Sequence, residues 1–314
     1  MREEAVTFGN LQSLVGIVTN PTGEDQKHAK SAVIFLNPGI VHRVGAGRIY
    51  VKLARALASM GFVALRFDFS GIGDSAVRRD NLQFEKSSVA ETQDAMDFLA
   101  ETRDIDRFIL LGGCSGAKVA LDTACSDARV IGALLINLPC ARDEDATASP
   151  DVIHRGASFY YRKYALFNFT SWSRLITGHA NYRKLFLALW FETKKKLTFR
   201  RSISNETSPF AANLRRLTDR GVQLTFLCSE GDPRLEDLRA AGGNELRRLC
   251  AERKVALEII RRSDHTFSSL EDQSQLMKVL LKRADAIVPN ERDPSNEYDV
   301  TTDTSNALLH ELQS

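Results

Sequence analysis

Several short runs in this chain are apolar on both faces: SAVIFLNP (31–38), FVALRFDF (62–69), FILLGG (108–113), VIGALLINLP (130–139) and VQLTFLCSE (222–230). A strand with one wet face alternates polar and apolar side chains, so runs like these must be covered on both sides. LVGIVTN (14–20) and VALEIIRR (255–262) are also strand-like. Amphipathic stretches lie between the runs. Tyr50, Leu53, Ala54, Leu57 and Ala58 repeat at helical spacing until Gly61 ends them, and further helices are predicted over 89–103, 116–125, 235–251 and 271–284. Strands alternating with helices in this way predict an α/β fold: a mostly parallel central sheet with helices on both faces.

With 314 residues, 43% of them hydrophobic, the chain can bury one sizeable core and still carry an insertion. The α/β pattern occupies residues 1–139 and 221–285. Residues 140–220 interrupt it with a stretch that is helical in pattern and rich in aromatics, which reads as an inserted helical cap. Between Asp151 and Arg201 there are eleven Lys or Arg against two Asp or Glu, including the run Lys194-Lys195-Lys196. Such a run is usually a solvated helix face; here, among aromatics, it also suits an anionic group on a substrate. Residues 286–314 carry six acidic residues against one Arg, together with Pro, Asn, Ser and Thr, and read as a disordered acidic tail.

The total charge of +2 points to no partner class, and the basic stretch is offset elsewhere, so nucleic-acid binding is not expected. The five cysteines, at 114, 125, 140, 228 and 250, form no CxxC pair, which argues against zinc and against a disulfide framework. MREEAVTFGN has no apolar core of a signal peptide, and no run approaches the roughly 20 residues of a membrane helix. A cytoplasmic protein without metal or cofactor is the expectation.

LLGGCSGAKVAL (110–121) joins an apolar run directly to a helical pattern. A turn this tight strains its central residue and needs small residues two positions to either side. Gly112 and Gly116 satisfy that for Cys114; Gly113 and Ala117 satisfy it for Ser115. The flanks favour Cys114, because Ala117, Val119, Ala120 and Leu121 can then pack on the sheet while Lys118 points outward. A thiol nucleophile needs a base, and the base an orienting acid. Asp232 follows one strand in CSEGDP and His265 follows the next in RRSDHTFSS, so all three fall on the carboxyl edge of one parallel sheet. Asp264 is adjacent to His265, where alignment with the ring is rare. An oxyanion would be met by the backbone N–H of Ser115 and by the loop Asn37-Pro38-Gly39-Ile40, where Gly39 lets the backbone approach.

Plainer readings exist: Cys114 as a packing thiol, Asp232 opening a turn with Pro233, and His265 as a surface histidine. The strand-end order of the three favours chemistry. The remaining histidines share no spacing, although His42 falls where it could line a pocket beside the oxyanion loop. Gly71-x-Gly73-x-x-Ala76 loosely matches a dinucleotide fingerprint, but VRRDNLQF opens no helix after it and Asp74 would repel a pyrophosphate. These glycines are better read as shaping the loop that enters the site.

The chain resembles the α/β-hydrolase superfamily over roughly 30–285, with LLGGCSGAKVAL similar to its nucleophile elbow and Cys in the usual Ser place. NPGIVHRVGAGRIYVKLARALASMGFVALRFDFSGIGDS (37–75) resembles serine-aminopeptidase-type hydrolases, above all those associated with exosortase and exopolysaccharide loci. The resemblance implies Cys114 as nucleophile, His265 as base, Asp232 as acid, and the Ile40 and Ser115 N–H groups as oxyanion donors; the loop position of Gly39 and His42 puts them beside the substrate. The implied activity is cleavage of a small-molecule ester or thioester; the basic, aromatic stretch 151–201 suits coenzyme A or a carrier protein as the handle. An acyltransferase would use the same intermediate, and a silent pathway protein would keep the fold alone.

Overall fold

The computed structural model describes residues 2–21, 28, 30–80, 82–140 and 208–288. Among them, eight strands form one sheet: β1 Arg2–Phe8, β2 Leu14–Asn20, β3 Ser31–Leu36, β4 Val63–Phe67, β5 Arg107–Gly113, β6 Val130–Ile136, β7 Gln223–Ser229 and β8 Val255–Ile260. Their spatial order is β1-β2-β4-β3-β5-β6-β7-β8. β3 to β8 run parallel, and the β1–β2 and β2–β4 pairs are antiparallel. Six α-helices are described: α1 Ile49–Ser59, α2 Phe84–Arg103, α3 Ser115–Ser126, α4 Pro209–Asp219, α5 Arg234–Ala251 and α6 Leu270–Ile287.

The apolar runs are explained by a sheet buried on both faces. In β3, Ile34 and Leu36 point into one core with Leu65, Phe67 and Leu110, covered by α2, α3, α4 and α5 through Met96, Ala117, Ala120, Leu214, Leu217, Leu235 and Leu246. Val33 and Phe35 point into the other with Ile109, Leu111 and Leu227, covered by α1 and α6 through Leu53, Leu57, Leu276 and Leu280. Each fully buried Leu, Ile or Phe contributes about 1.5–3 kcal/mol of transfer free energy. The register is therefore strongly determined in the central strands.

The structure departs from the sequence reading at several places; the helix expected over 89–103, for one, already starts at Phe84. β1 was not expected. REEAVTF is an edge strand that opens on three charged residues, and Glu3 accepts from Arg55 Nη2 (2.8 Å) and from Arg66 Nη2 (2.9 Å). Charge on an edge blunts further pairing and hides the strand from a hydrophobicity pattern. Residues 209–219, assigned by sequence to the cap, instead form α4 within the same compact unit as the sheet, because Leu214 and Leu217 are fully buried in its core. The acidic tail starts later than 286, since α6 continues to Ile287, and Ile287 and Val288 are buried. The rest of the expected cap, 141–207, and of the tail, 289–314, lies outside the described residues.

α3 crosses the sheet at close range through Gly116. A Cβ there would lie 2.5 Å from Leu36 O and 2.7 Å from Asn37 O, both backbone atoms that cannot swing aside. A Cβ on Gly113 would meet nothing nearer than the Tyr50 hydroxyl at 3.6 Å. Gly116→Ala is expected to lower the unfolding free energy by about 1–3 kcal/mol in urea denaturation, the usual cost of overpacking. Gly113→Ala should stay within about 0.5 kcal/mol of the parent; equal effects would contradict the packing described.

Candidate active site

β5 ends at Gly113 and α3 begins at Ser115, so Cys114 alone makes the turn, with φ 51° and ψ −122°. A non-glycine residue in such a conformation costs about 1–3 kcal/mol and persists only where its surroundings enforce it. Here they do. Cys114 N–H donates to Ile136 O (2.9 Å), and Cys114 O accepts from Ala117 N–H (3.0 Å) and Lys118 N–H (3.3 Å). A Cβ on Gly112 would fall 2.2 Å from Gly116 O, so small residues two positions apart are required around Cys114. Tyr50, buried on α1, accepts from Gly113 N–H (3.2 Å) and donates to Leu36 O (3.1 Å), tying the elbow to β3. Lys118 is exposed and pairs with Asp122 one turn on. The register favoured by the flanking residues is the one adopted.

The other two predicted residues arrive from the next strand ends. Asp232 follows β7, with its N–H on Ser229 O (3.1 Å) and its carboxylate 2% exposed. His265 follows β8 and donates from Nδ1 to Asp232 Oδ2. Asp264 does not compete for the ring, because its carboxylate accepts from Thr266 N–H (2.9 Å), Thr266 Oγ1 (3.0 Å), Ser268 N–H (3.2 Å) and Ser268 Oγ. Asn137, buried at the end of β6, fixes both loops: its Nδ2 donates to His265 O (3.0 Å) and its Oδ1 accepts from Ser229 N–H (2.9 Å).

The charges follow from these contacts. His265 is pushed up to about 9 by its hydrogen bond to Asp232 and next by its contact with Cys114. The His265 hydrogen bond in turn lowers the Cys114 thiol, against the opposing effect of burial, with Arg234 adding to the lowering. Burial alone would raise Asp232, yet the His265 hydrogen bond and the Arg234 N–H hold it below the usual carboxylate range. The group is thus biased toward thiolate, imidazolium and carboxylate.

The loop between β3 and α1 faces the elbow. Gly39, at φ 61°, donates its N–H to Ser115 Oγ (2.7 Å). Pro38 O accepts from Val41 N–H (3.2 Å) across a turn whose Ile40 is 93% exposed and whose Ile40 N–H has no partner among the described residues. Ser115 N–H, first in α3, has no acceptor within the helix. His42 is exposed on the same loop, and no hydrogen bond among the described residues joins its ring to Cys114, His265 or Asp232. Fully buried Asp68 holds the loop in shape: it accepts from Arg43 N–H (2.6 Å), the Arg43 guanidinium, Asn37 Nδ2 (3.3 Å) and Asp74 N–H (3.4 Å). Gly73, at φ 55°, leaves room for that carboxylate, since a Cβ would fall 2.2 Å from Asp68 Oδ2. Gly73 therefore shapes the loop beside the site.

A family model described as the alpha/beta hydrolase family matches residues 33–277. The chain belongs to that family. It is a hydrolase by this membership, and the match spans the elbow, the oxyanion-side loop and both later strand ends. A search of curated protein sequences finds no match. Solved structures share the alpha/beta hydrolase fold at low identity. A serine hydrolase without a lid from Xanthomonas campestris is 15% identical, with TM-score 0.52 over 91% of this chain and 95% of that one. An esterase from Pyrococcus furiosus is 14% identical, with TM-score 0.55 over 92% and 91%. A proline iminopeptidase from Mycobacterium smegmatis is 15% identical, with TM-score 0.51 over 91% and 98%.

Arg234, Asn137, Asp68 and Arg43 are site residues that sequence reasoning missed; only Arg234, two residues after Asp232, had a positional hint. Among the described residues no group of three or more His, Cys, Asp or Glu could hold a metal ion, and no helix is long and apolar enough to cross a membrane. Burial pushes the Cys140 and Cys228 thiols up to about 12 and raises Cys250. Iodoacetamide at neutral pH should therefore label Cys114 at least about tenfold faster than those three, read by peptide mass mapping. Equal labelling would contradict a thiolate at the elbow.

Proposed function

We propose that this hydrolase cleaves a carboxylic ester or thioester through a covalent acyl-enzyme on Cys114. The reading is carried by one arrangement: a thiol at the strained elbow, in contact with a histidine whose other ring nitrogen is held by a buried aspartate. Cys114 thiolate attacks the carbonyl carbon, and the negative charge that develops on oxygen is met by the N–H groups of Ser115 and Ile40. His265 imidazolium protonates the leaving alcohol or thiol as the tetrahedral species collapses. His265, now neutral, takes a proton from water, which attacks the thioester; the C–S bond breaks and the carboxylic acid leaves. Asp232 fixes the tautomer that presents Nε2 to the reacting atoms.

A thiolate is a good leaving group, which suits ester and thioester turnover better than peptide cleavage. Residues 151–201, basic and interleaved with aromatics, suit an acyl chain with an anionic handle such as coenzyme A or carrier-bound phosphopantetheine. The likeness of 37–75 to exopolysaccharide-associated hydrolases makes a cytoplasmic step in such a pathway the natural setting, and the five cysteines are free, as in a reducing compartment.

Steady-state kinetics on p-nitrophenyl esters and acyl-coenzyme A, with the acceptor identified by product analysis, test the reading. Cys114→Ala should reduce kcat by about a thousandfold or more, and adding Asp232→Asn to His265→Ala should cost little further, because such residues act as a unit. Ser115→Ala should stay within about tenfold, its hydroxyl serving only the Gly39 contact. A dead Ser115→Ala beside an active Cys114→Ala would move the nucleophile to Ser115; transfer to an alcohol or amine in preference to water would make the enzyme an acyltransferase.

A further inference from the structure

Arg234, at the start of α5, lies across the whole catalytic group. Its Nη2 donates to Cys114 Sγ (3.5 Å), and its Nη1 lies 3.0 Å from His265 Nδ1, 3.3 Å from His265 Nε2 and 3.6 Å from Asp232 Oδ2. The similar distances to both ring nitrogens set the guanidinium alongside the imidazole and not on one lone pair. Its own backbone N–H donates to Asp232 Oδ1 (3.0 Å), so α5 and the acid are fixed together. A guanidinium keeps its charge throughout the working range of proteins. The site therefore contains a permanent cation beside a histidine that must both carry and give up a proton.

We propose that Arg234 sets the timing of the two half-reactions: it holds Cys114 as thiolate before attack, and it keeps His265 neutral once the acyl group is in place. The inference rests on the reading of Cys114 as nucleophile. In the free enzyme the thiolate and Asp232 favour imidazolium, while Arg234 opposes it. Acylation converts the thiolate to a neutral thioester and removes one of the two charges that held the proton on His265. Asp232 remains and still favours the protonated ring. Arg234 acts against Asp232 and so favours the neutral imidazole that accepts a proton from water. The water oxygen bonds to the carbonyl carbon, the proton goes to Nε2, and collapse returns Cys114 as thiolate beside imidazolium, where Arg234 again stabilises the sulfur.

Among the described residues, titratable or charged groups near this pair come from three places. Asp232 and Arg234 come from the segment after β7, and Asp264 is bound by Thr266 and Ser268 of its own loop. Tyr50 from α1 is raised well above its usual range by burial and stays neutral. Removing Arg234 therefore shifts both proton equilibria in the same direction. Loss of the thiol proton beside imidazolium becomes harder, and so does loss of the imidazolium proton in the acyl-enzyme.

Two measurements on the full chain test this. The first is the pH dependence of iodoacetamide alkylation at Cys114, which needs no substrate. The second is single-turnover deacylation of enzyme loaded with p-nitrophenyl acetate. In Arg234→Gln both apparent pKa values should move alkaline by about one unit, slowing deacylation about tenfold near neutrality and enlarging the acyl-enzyme burst. Raising the pH should recover the rate, and Arg234→Lys should restore both profiles toward the parent. Unmoved profiles in Arg234→Gln, or a loss of rate that is uniform across pH, would overturn the proposal and leave Arg234 a packing residue. An acyl adduct and turnover that survive Cys114→Ala would instead overturn the nucleophile assignment beneath it.

Discussion

The backbone of Cys114 sits in a conformation that a side chain other than glycine resists, and the rest of the site is arranged around keeping it there. β5 must stop and α3 must start within a single residue, which brings the two backbones so close that Gly112 and Gly116 have no room for a Cβ. That closeness lets α3 lie against Leu36 and Asn37, and it brings Ser115 Oγ to the loop that follows β3, where it accepts from Gly39 N–H. The same turn lifts the thiol out of the sheet edge, where strand ends from β7 and β8 can reach it. Burial of both sheet faces supplies the stability from which a strain of about 1–3 kcal/mol is withdrawn.

Two carboxylates with different duties are buried near this elbow. Asp68 is matched by the Arg43 guanidinium and by side-chain and backbone N–H groups, so it is a structural anchor that shapes the loop carrying Gly39 and Ile40. Asp232 is matched by a histidine and by the backbone and side chain of Arg234, groups that also touch the nucleophile. A buried carboxylate is tolerated only when paired, and the identity of the partner decides the use. With Arg43 the result is rigidity; with His265 it is a proton that can be moved.

Much of this was legible in the sequence because its cause was local. Unalternating apolar runs announce a sheet covered on both faces; the small residues at 112–117 announce a tight turn at 114 or 115, and the apolar flank of Ala117, Val119, Ala120 and Leu121 with Lys118 outward favours 114. The order of Cys114, Asp232 and His265 at strand ends follows from the same pattern. What escaped was set by partners distant in sequence. Arg234 reads as an ordinary helix-start cation until folding brings β5, β7 and β8 together, and Asp68 reads as a strand-end acid until Arg43 and Asn37 close on it. β1 escaped because it opens on three charged residues, and α4 reads as cap because its few buried leucines lie next to a long aromatic insertion.

The central claim is that acyl transfer passes through the sulfur of Cys114, and mapping the covalent intermediate tests it most directly. The enzyme would be mixed with p-nitrophenyl butyrate, quenched in acid during the burst, and its peptides sequenced by tandem mass spectrometry. The account predicts a butyryl group on Cys114 that hydroxylamine removes, formed and lost at rates compatible with turnover. A butyryl group on Ser115, or full turnover with Cys114 unmodified, would contradict it.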